Sequence, residues 1–238
     1  MKLDILVLAA HPDDAELSCA GTLITHIQKG FKVGIVDLTQ GEMGTRGTIQ
    51  TRAQEAMQAA KIMGLAVREN LELEDVFFNN SLQEQLKVIQ AIRKFKPDIV
   101  LANAISDRHP DHGKGAKLAI DAFFMSGLKK IVTYENEMEQ EAWRPKVLYH
   151  FIQNNYIKPD FIVDVSDVWD QKLDAIKVFK SQFYNADSKE DTTFISTPDF
   201  LPFIEARSRE MGHAIGKRYG EGFTVNRFIG VGNLFDLI

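Results

Sequence analysis

Cysteine is almost missing from this chain. Cys19 is the single one in 238 residues, so no disulfide can form within it. That usage fits a reducing compartment, and a cytoplasmic location is expected. Long apolar runs are missing as well. The segment "DILVLAA" at 4–10 is too short for a secretory signal or a membrane span and reads as a first strand, so no membrane partner is expected. Basic charge is in deficit: 28 Lys and Arg stand against 33 Asp and Glu, for a net charge of −5. With a pI of about 5.7, a broad electrostatic footprint for nucleic acid is excluded. Phosphate-binding signatures are absent too. "QGEMGTRGT" (40–48) places glycines at 41, 44 and 47, which is not the GxGxxG spacing of a dinucleotide site. Neither a GxxxxGK[ST] loop nor a GxSxG elbow occurs. A nucleotide-dependent oxidoreductase is therefore disfavoured.

What is present is an ordinary soluble composition, 45% hydrophobic and 26% charged, at a length that suits one α/β domain over residues 1–238. Apolar runs at 4–10, 32–38, 98–103, 146–152 and 161–165 read as strands. Helical patterns fill the intervals at 15–30, 51–64, 81–97 and 112–127, several stopping on glycine or before proline. Continuous apolar strands alternating with helices predict a Rossmann-like, mostly parallel, doubly wound sheet with helices on both faces. Beyond residue 166 the pattern predicts helices at 167–180 and 199–218, a polar stretch at 185–193, and a final strand in "TVNRFIGVGNLF" (224–235). The segment 133–145 is acidic and long for a connector, which suits either a flap over a binding crevice or a subunit contact.

Histidine is scarce, six in all, yet three of them fall in two clusters, "AHPDDAE" (10–16) and "HPDH" (109–112). Each cluster follows a predicted strand, and in an open α/β sheet ligands bind beyond the carboxyl ends of the strands. A lone His-Pro-Asp is also a plausible strand-end turn whose aspartate caps the next helix. Two of them, each carrying an additional ligand residue, point instead to a shared metal site. His11 and Asp14, three residues apart across a turn, can face one ion, and a histidine from 109–112 completes a two-histidine, one-carboxylate set with an open position. Spacing leaves open which of His109 and His112 takes that place. Asp13 is then free to act as general base, and Asp111 can hold an imidazole in its charged form. Cys19, inside a predicted helix, reads as a core residue, and His26, His150 and His213 as structural or solvated.

At these residues the chain resembles the PIG-L/LmbE-like zinc deacetylases, which remove acetyl groups from N-acetylglucosaminyl compounds. The resemblance continues through "DLTQGEMGTRGTIQTRAQEA", "LANAISDRHPDHGKGAKL", "RPKVLYHFIQ", "SQFY" and "YGEGF". It is greatest to the branch that deacetylates N-acetylglucosaminyl-malate in bacillithiol biosynthesis. It implies His11, Asp14 and His112 as zinc ligands, Asp13 as general base, His109 as a charged histidine at the oxyanion or leaving amine, and Asp111 as the partner of His109. Arg52 matches an arginine near the substrate in relatives, and homo-oligomers, often hexamers, are implied. One departure stands out: Phe200 falls where some relatives carry a tyrosine beside the oxyanion.

A malyl conjugate is dianionic, and arginine pairs with carboxylates through its planar fork. Arg46, Arg52 and Arg108, all in predicted strand-end loops or just beyond, are the candidate substrate contacts. Another N-acetylglucosamine conjugate, a chitin disaccharide or a different thiol precursor, is the alternative substrate. A non-catalytic metal binder is the alternative from another class, against which the intact Asp13 argues. Two nitrogens and a carboxylate suit zinc and also iron(II) or another divalent ion.

Overall fold

The computed structural model describes residues 1–237. Nine strands follow in order: β1 (Ile5–Ala9), β2 (Val33–Thr39), β3 (Val67–Leu73), β4 (Ile99–Ala102), β5 (Tyr134–Glu135), β6 (Met138–Glu139), β7 (Val147–Phe151), β8 (Phe161–Asp164) and β9 (Gly220–Val225). Six α-helices accompany them: α1 (Asp14–Gln28), α2 (Ile49–Met63), α3 (Leu82–Phe95), α4 (Pro110–Met125), α5 (Trp169–Lys177) and α6 (Phe200–Ala214). Seven strands form one sheet in the order β3-β2-β1-β4-β7-β9-β8, and β5 and β6 form a separate hairpin. The pairs from β3 to β7 are parallel, and β9 runs antiparallel to both β7 and β8. The expected Rossmann-like layout is the observed one.

Burial explains the layering. Every residue of β1 and β2 is buried, which requires cover on both faces. One core carries Leu23, Ile24, Ala59, Ile176 and Ile204 from α1, α2, α5 and α6, and the other carries Val88, Ile92, Leu118 and Ala122 from α3 and α4. Local chemistry fixes the helix ends. Ser81 and Glu84 form a reciprocal capping box on α3, and Gly64 closes α2 in the left-handed conformation with φ 80. Strand order reverses beside β1: the chain steps outward to β2 and β3, then crosses back to β4 on the other side. A crevice opens at such a reversal, so His11, at the end of β1, and residues 107–112, beyond β4, meet over it.

The five strands expected from apolar runs occur within a residue or two of their predicted limits, as do the four helices among them. The last expected strand does not form over 224–235. β9 is Gly220–Val225, and among the described residues after it no strand forms. The reason is register: Phe223 pairs with both Phe151 and Phe161, so the strand is centred on "GEGFTV", whose glycines admit close neighbours. The helix expected to reach 218 stops at Ala214, with Gly216 at φ 70 just beyond. β3 carried no apolar signal because its Arg68 is buried in ion pairs with Glu16 and Asp37. The segment 133–145 holds the β5–β6 hairpin, and Trp143 donates to the Pro97 carbonyl at 2.7 Å. It contributes nothing to the crevice lining, so the flap reading falls. Among the described residues no helix is long and apolar enough to cross a membrane.

Another buried ion pair joins α5 to β9. Lys172 Nζ sits 2.6 Å from Glu221 Oε1, each side chain 1% exposed. Glu221 also accepts from the backbone N–H groups of Gly21 and Thr22, and Lys172 donates to the Leu17 carbonyl. The pair thereby ties α1 to α5 and β9. Removing one partner strands a buried charge, so Lys172→Ala is expected to cost about 3–5 kcal/mol in a urea unfolding midpoint analysis. A change near zero would show that the pair does not hold these elements.

Candidate active site

The carboxyl ends of β1 and β4 aim two polar turns at each other. Asp13 and Asp14 open α1, and Asp111 and His112 lie in the first turn of α4, with Pro110 at its start. Proline suits a first helical position because its missing N–H has no partner there in any case. The turn before α1 is strained: Asp13 has φ 127 and ψ −22, a conformation costing a non-glycine residue about 1–3 kcal/mol. Above the turns lies a cavity of about 330 Å³ lined by His11, Asp13, Asp14, Arg46, Arg52, Arg108, His109 and His112, among others. Every sequence-predicted site residue except Asp111 lines it. Gln182 and Thr193–Ile195 line it as well.

Asp14 sits between two imidazoles. Its Oδ2 is 3.4 Å from His11 Nδ1, and its Oδ1 is 3.0 Å from His112 Nε2. Donors bound at 2.0–2.1 Å to a tetrahedral zinc stand about 3.3 Å apart, so each of these two pairs is spaced as two ligands of one ion are, and His11, Asp75 and Asp111 also bring ligand atoms within 4.8 Å of one another. The far nitrogens satisfy a second condition. His11 Nε2 faces Asp75 Oδ1 at 3.0 Å and Asp111 Oδ2 at 3.4 Å, and His112 Nδ1 faces Asp107 Oδ2 at 2.5 Å. Metal-binding histidines characteristically give their other N–H to such an acceptor, which fixes the tautomer and turns the free lone pair to the metal. Asp14 is itself oriented: Asn103 Nδ2 and the His11 N–H donate to Oδ2, and Gln153 Nε2 donates to Oδ1, each at 2.9 Å.

His109 is held differently. Its Nδ1 accepts the backbone N–H of Asp111 at 3.3 Å, capping α4. A neutral ring accepting at Nδ1 carries its proton on Nε2, which makes it a donor and unfit to ligate. The nitrogens of His11, His109 and His112 nevertheless approach within 4.8 Å of one another. The capping bond distinguishes His109 from His112, whose Nδ1 faces Asp107 instead. The expected carboxylate pairing of Asp111 with His109 is not formed. Asp111 turns instead to His11, the Val76 N–H (2.8 Å) and Lys114 Nζ (3.2 Å), because its own N–H is already committed to the His109 ring.

Electrostatics follow this wiring. Burial pushes Asp13 up, Arg52 opposes it, and the carboxyl settles at about 6. Burial also works against the Asp14 charge, but His112 and His11 beside it hold its pKa well below the usual carboxylate range. Burial disfavours a charged His112, yet Asp14 and Asp107 raise it to about 9. His109 goes the other way, lowered by burial and by the nearby His11 and His112. That direction runs against the charged state expected for His109, although Asp111 and Asp14 pull the other way.

The arginines divide. Arg52 donates to Asp13 Oδ2 at 2.9 Å, and Arg46 donates to Ser188 Oγ at 2.8 Å with Glu190 3.5 Å away. Arg108 lies over the Phe194 ring at 4.1 Å and has no ion pair among the described residues. Arg207, which the sequence reading missed, also lines the cavity, lying over Phe203 at 4.7 Å and bonded to the Asn154 carbonyl. Phe200 is in the wall, packed on Phe183, and brings no hydroxyl to the oxyanion position. Asn103, Asp107 and Gln153 were missed too. Asn103 and Gln153 follow the strands β4 and β7, and polar residues at strand ends were the available signal. Asp75 had no such signal, because it follows the unrecognised β3.

A family model described as "GlcNAc-PI de-N-acetylase", PIG-L, matches residues 6–123. The conserved protein TT1542 from Thermus thermophilus is 35% identical, with a TM-score of 0.85 over 97% of this chain and 98% of that one. The diacetylchitobiose deacetylase of Thermococcus kodakarensis is 28% identical over 92% of this chain and 81% of its own length. A probable N-acetyl-alpha-D-glucosaminyl L-malate deacetylase 2 of Bacillus subtilis is 26% identical, covering 76% of this chain and 84% of the relative. The fold and site define an enzyme of the amide-hydrolysing class, and the chain belongs to the PIG-L family of deacetylases.

Outer-shell partners of a metal ligand typically contribute 10- to 100-fold in affinity, so Asp107→Asn is expected to weaken metal binding by about that factor. A competition titration with a chelator reads it. Unchanged affinity would remove His112 from the ligand set.

Proposed function

We propose that the chain is a divalent-metal hydrolase, zinc being the metal suited to two imidazoles and a carboxylate, that deacetylates an N-acetylglucosaminyl conjugate carrying a carboxylate. His11, Asp14 and His112 hold the metal. The observation that supports the reading is that a buried carboxylate, Asp13, and His109, whose Nδ1 is taken by a backbone N–H, line the same cavity as that set. When bound, the ion polarises a carbonyl and acidifies water.

The chain's own groups then account for the proton movements. Asp13 takes a proton from the attacking water as its oxygen bonds to the acetyl carbon. His109 Nε2–H donates to the carbonyl oxygen as it becomes an oxyanion, a role that needs a hydrogen-bond donor and not a full charge. The C–N bond then breaks, Asp13 returns its proton to the departing amine, and acetate is released. The apolar wall of Phe200, Ile204 and Leu17 keeps bulk water from the reacting carbonyl.

For the aglycone, Arg108 and Arg207 are the cavity arginines without an ion pair among the described residues, whereas Arg46 and Arg52 are ion-paired within the protein. This favours an anionic group such as malate and narrows the three arginines expected from the sequence to Arg108, joined by Arg207. A chitin disaccharide offers these two nothing to pair with.

Asp13→Asn is expected to keep its metal and lose about 10²–10⁴ in turnover, measured as amine release alongside metal analysis. Loss of metal together with activity would instead make Asp13 a ligand. On the malyl conjugate, Arg108→Ala is expected to lower kcat/KM by about tenfold or more, with little change on N,N'-diacetylchitobiose. Equal losses on both compounds would remove the carboxylate subsite.

A further inference from the structure

Arg52 occupies the first turn of α2, after the N-cap Thr48. A helix N-terminus carries partial positive charge and is a poor place for a cation. The side chain nonetheless turns inward, 8% exposed, to the His-Pro-Asp turn. Its Nη2 donates to Asp13 Oδ2 at 2.9 Å and to the Pro12 carbonyl at 3.1 Å, and its Nη1 donates to the Gly41 carbonyl at 3.2 Å. Nε is buried and has no hydrogen-bond partner among the described residues. Among the described residues Arg52 is the only basic side chain ion-paired with Asp13.

Two backbone features show that this contact is built in. Asp13 is the residue at φ 127, a conformation that persists only where its surroundings over-determine it. The guanidinium supplies that constraint, gripping the carbonyl on one side of the strained residue and its carboxylate on the other. Gly41 stands at φ 68, and a Cβ there would overlap the Arg52 guanidinium. The glycine-rich segment "QGEMGTRGT" (40–48), whose spacing matches no phosphate loop, is thus shaped around an arginine.

We infer that Arg52 is a positioning residue for Asp13, clamping the strained turn so that the base faces the cavity, and not a contact for the substrate. The inference rests on the assignment of Asp13 as base made under the proposed function. Arg52 takes Oδ2 and leaves Oδ1 without a hydrogen bond among the described residues, free for the proton it must carry.

The test is a double-mutant cycle on the metal-loaded protein, joined to crystal structures. Arg52→Ala is expected to lower kcat by about 10²-fold, the scale of a misplaced catalytic group, with KM and metal content unchanged. On the Asp13→Asn background the same substitution should cost nothing more, because there is no base left to place. A rise in KM at unchanged kcat, or a full further loss on that background, would make Arg52 a substrate contact and overturn the inference. The crystal structure of Arg52→Ala is expected to show the Asp13 carboxylate swung away or its φ relaxed to a negative value. An unmoved Asp13 overturns the inference whatever the kinetics say. Arg52→Lys replaces alanine in every arm if Arg52→Ala does not fold, since lysine keeps the charge but cannot bridge both carbonyls and the carboxylate. A wild-type protein that releases no amine from any N-acetylglucosaminyl compound refutes the proposed function alone and leaves the structural arm to decide this one.

Discussion

Carboxylate crowding at the edge of β1 and β4 is the constraint on which the rest of the molecule turns. Asp13, Asp14, Asp75, Asp107 and Asp111 all meet there with side chains nearly shut off from water. Like charges held together in a poorly solvated place are unfavourable unless cations or hydrogen-bond donors compensate them. The protein supplies Arg52 to Asp13, Lys114 to Asp111, and the amides of Asn103 and Gln153 to Asp14. What remains is met by two imidazoles whose far nitrogens are already bonded to carboxylates. Two imidazoles flanking the Asp14 carboxylate make a donor set of the kind that suits a divalent cation.

The same arrangement separates three histidines of similar sequence context into different jobs. His11 and His112 give N–H groups outward to aspartates and turn lone pairs inward. His109 accepts a backbone N–H and turns its own N–H inward. One capping hydrogen bond therefore sets the tautomer that converts a candidate ligand into a candidate oxyanion donor. The site departs from the resemblance at Asp111, whose carboxylate steadies His11. It departs again at Arg52, whose fork is spent on the turn that carries the base.

Much of this was legible in the residues themselves. The parallel strands showed as unbroken apolar runs because both faces of the sheet are covered, and the helices showed through glycine and proline stops. The paired His-Pro-Asp clusters pointed to the cavity where His11, His109 and His112 meet, since no ordinary turn needs so many ligand-type side chains. What escaped notice was buried charge. β3 hides Arg68 behind Glu16 and Asp37, so its pattern is not apolar, and with β3 went Asp75. The final strand was misplaced because "GEGFTV" has little side-chain signal, and its position is set by pairing with β7 and β8.

The sequence by itself determined the fold class, the two clusters and the set of groups able to bind a cation, because periodicity and residue chemistry are local properties. Only the tertiary structure showed which histidine caps a helix, which cavity arginines make no ion pair among the described residues, and which aspartate faces which ring. Those outcomes depend on where a second partner lies, and partners such as Asp107 with His112, or Arg52 with Asp13, come together only when the strands have set their turns side by side.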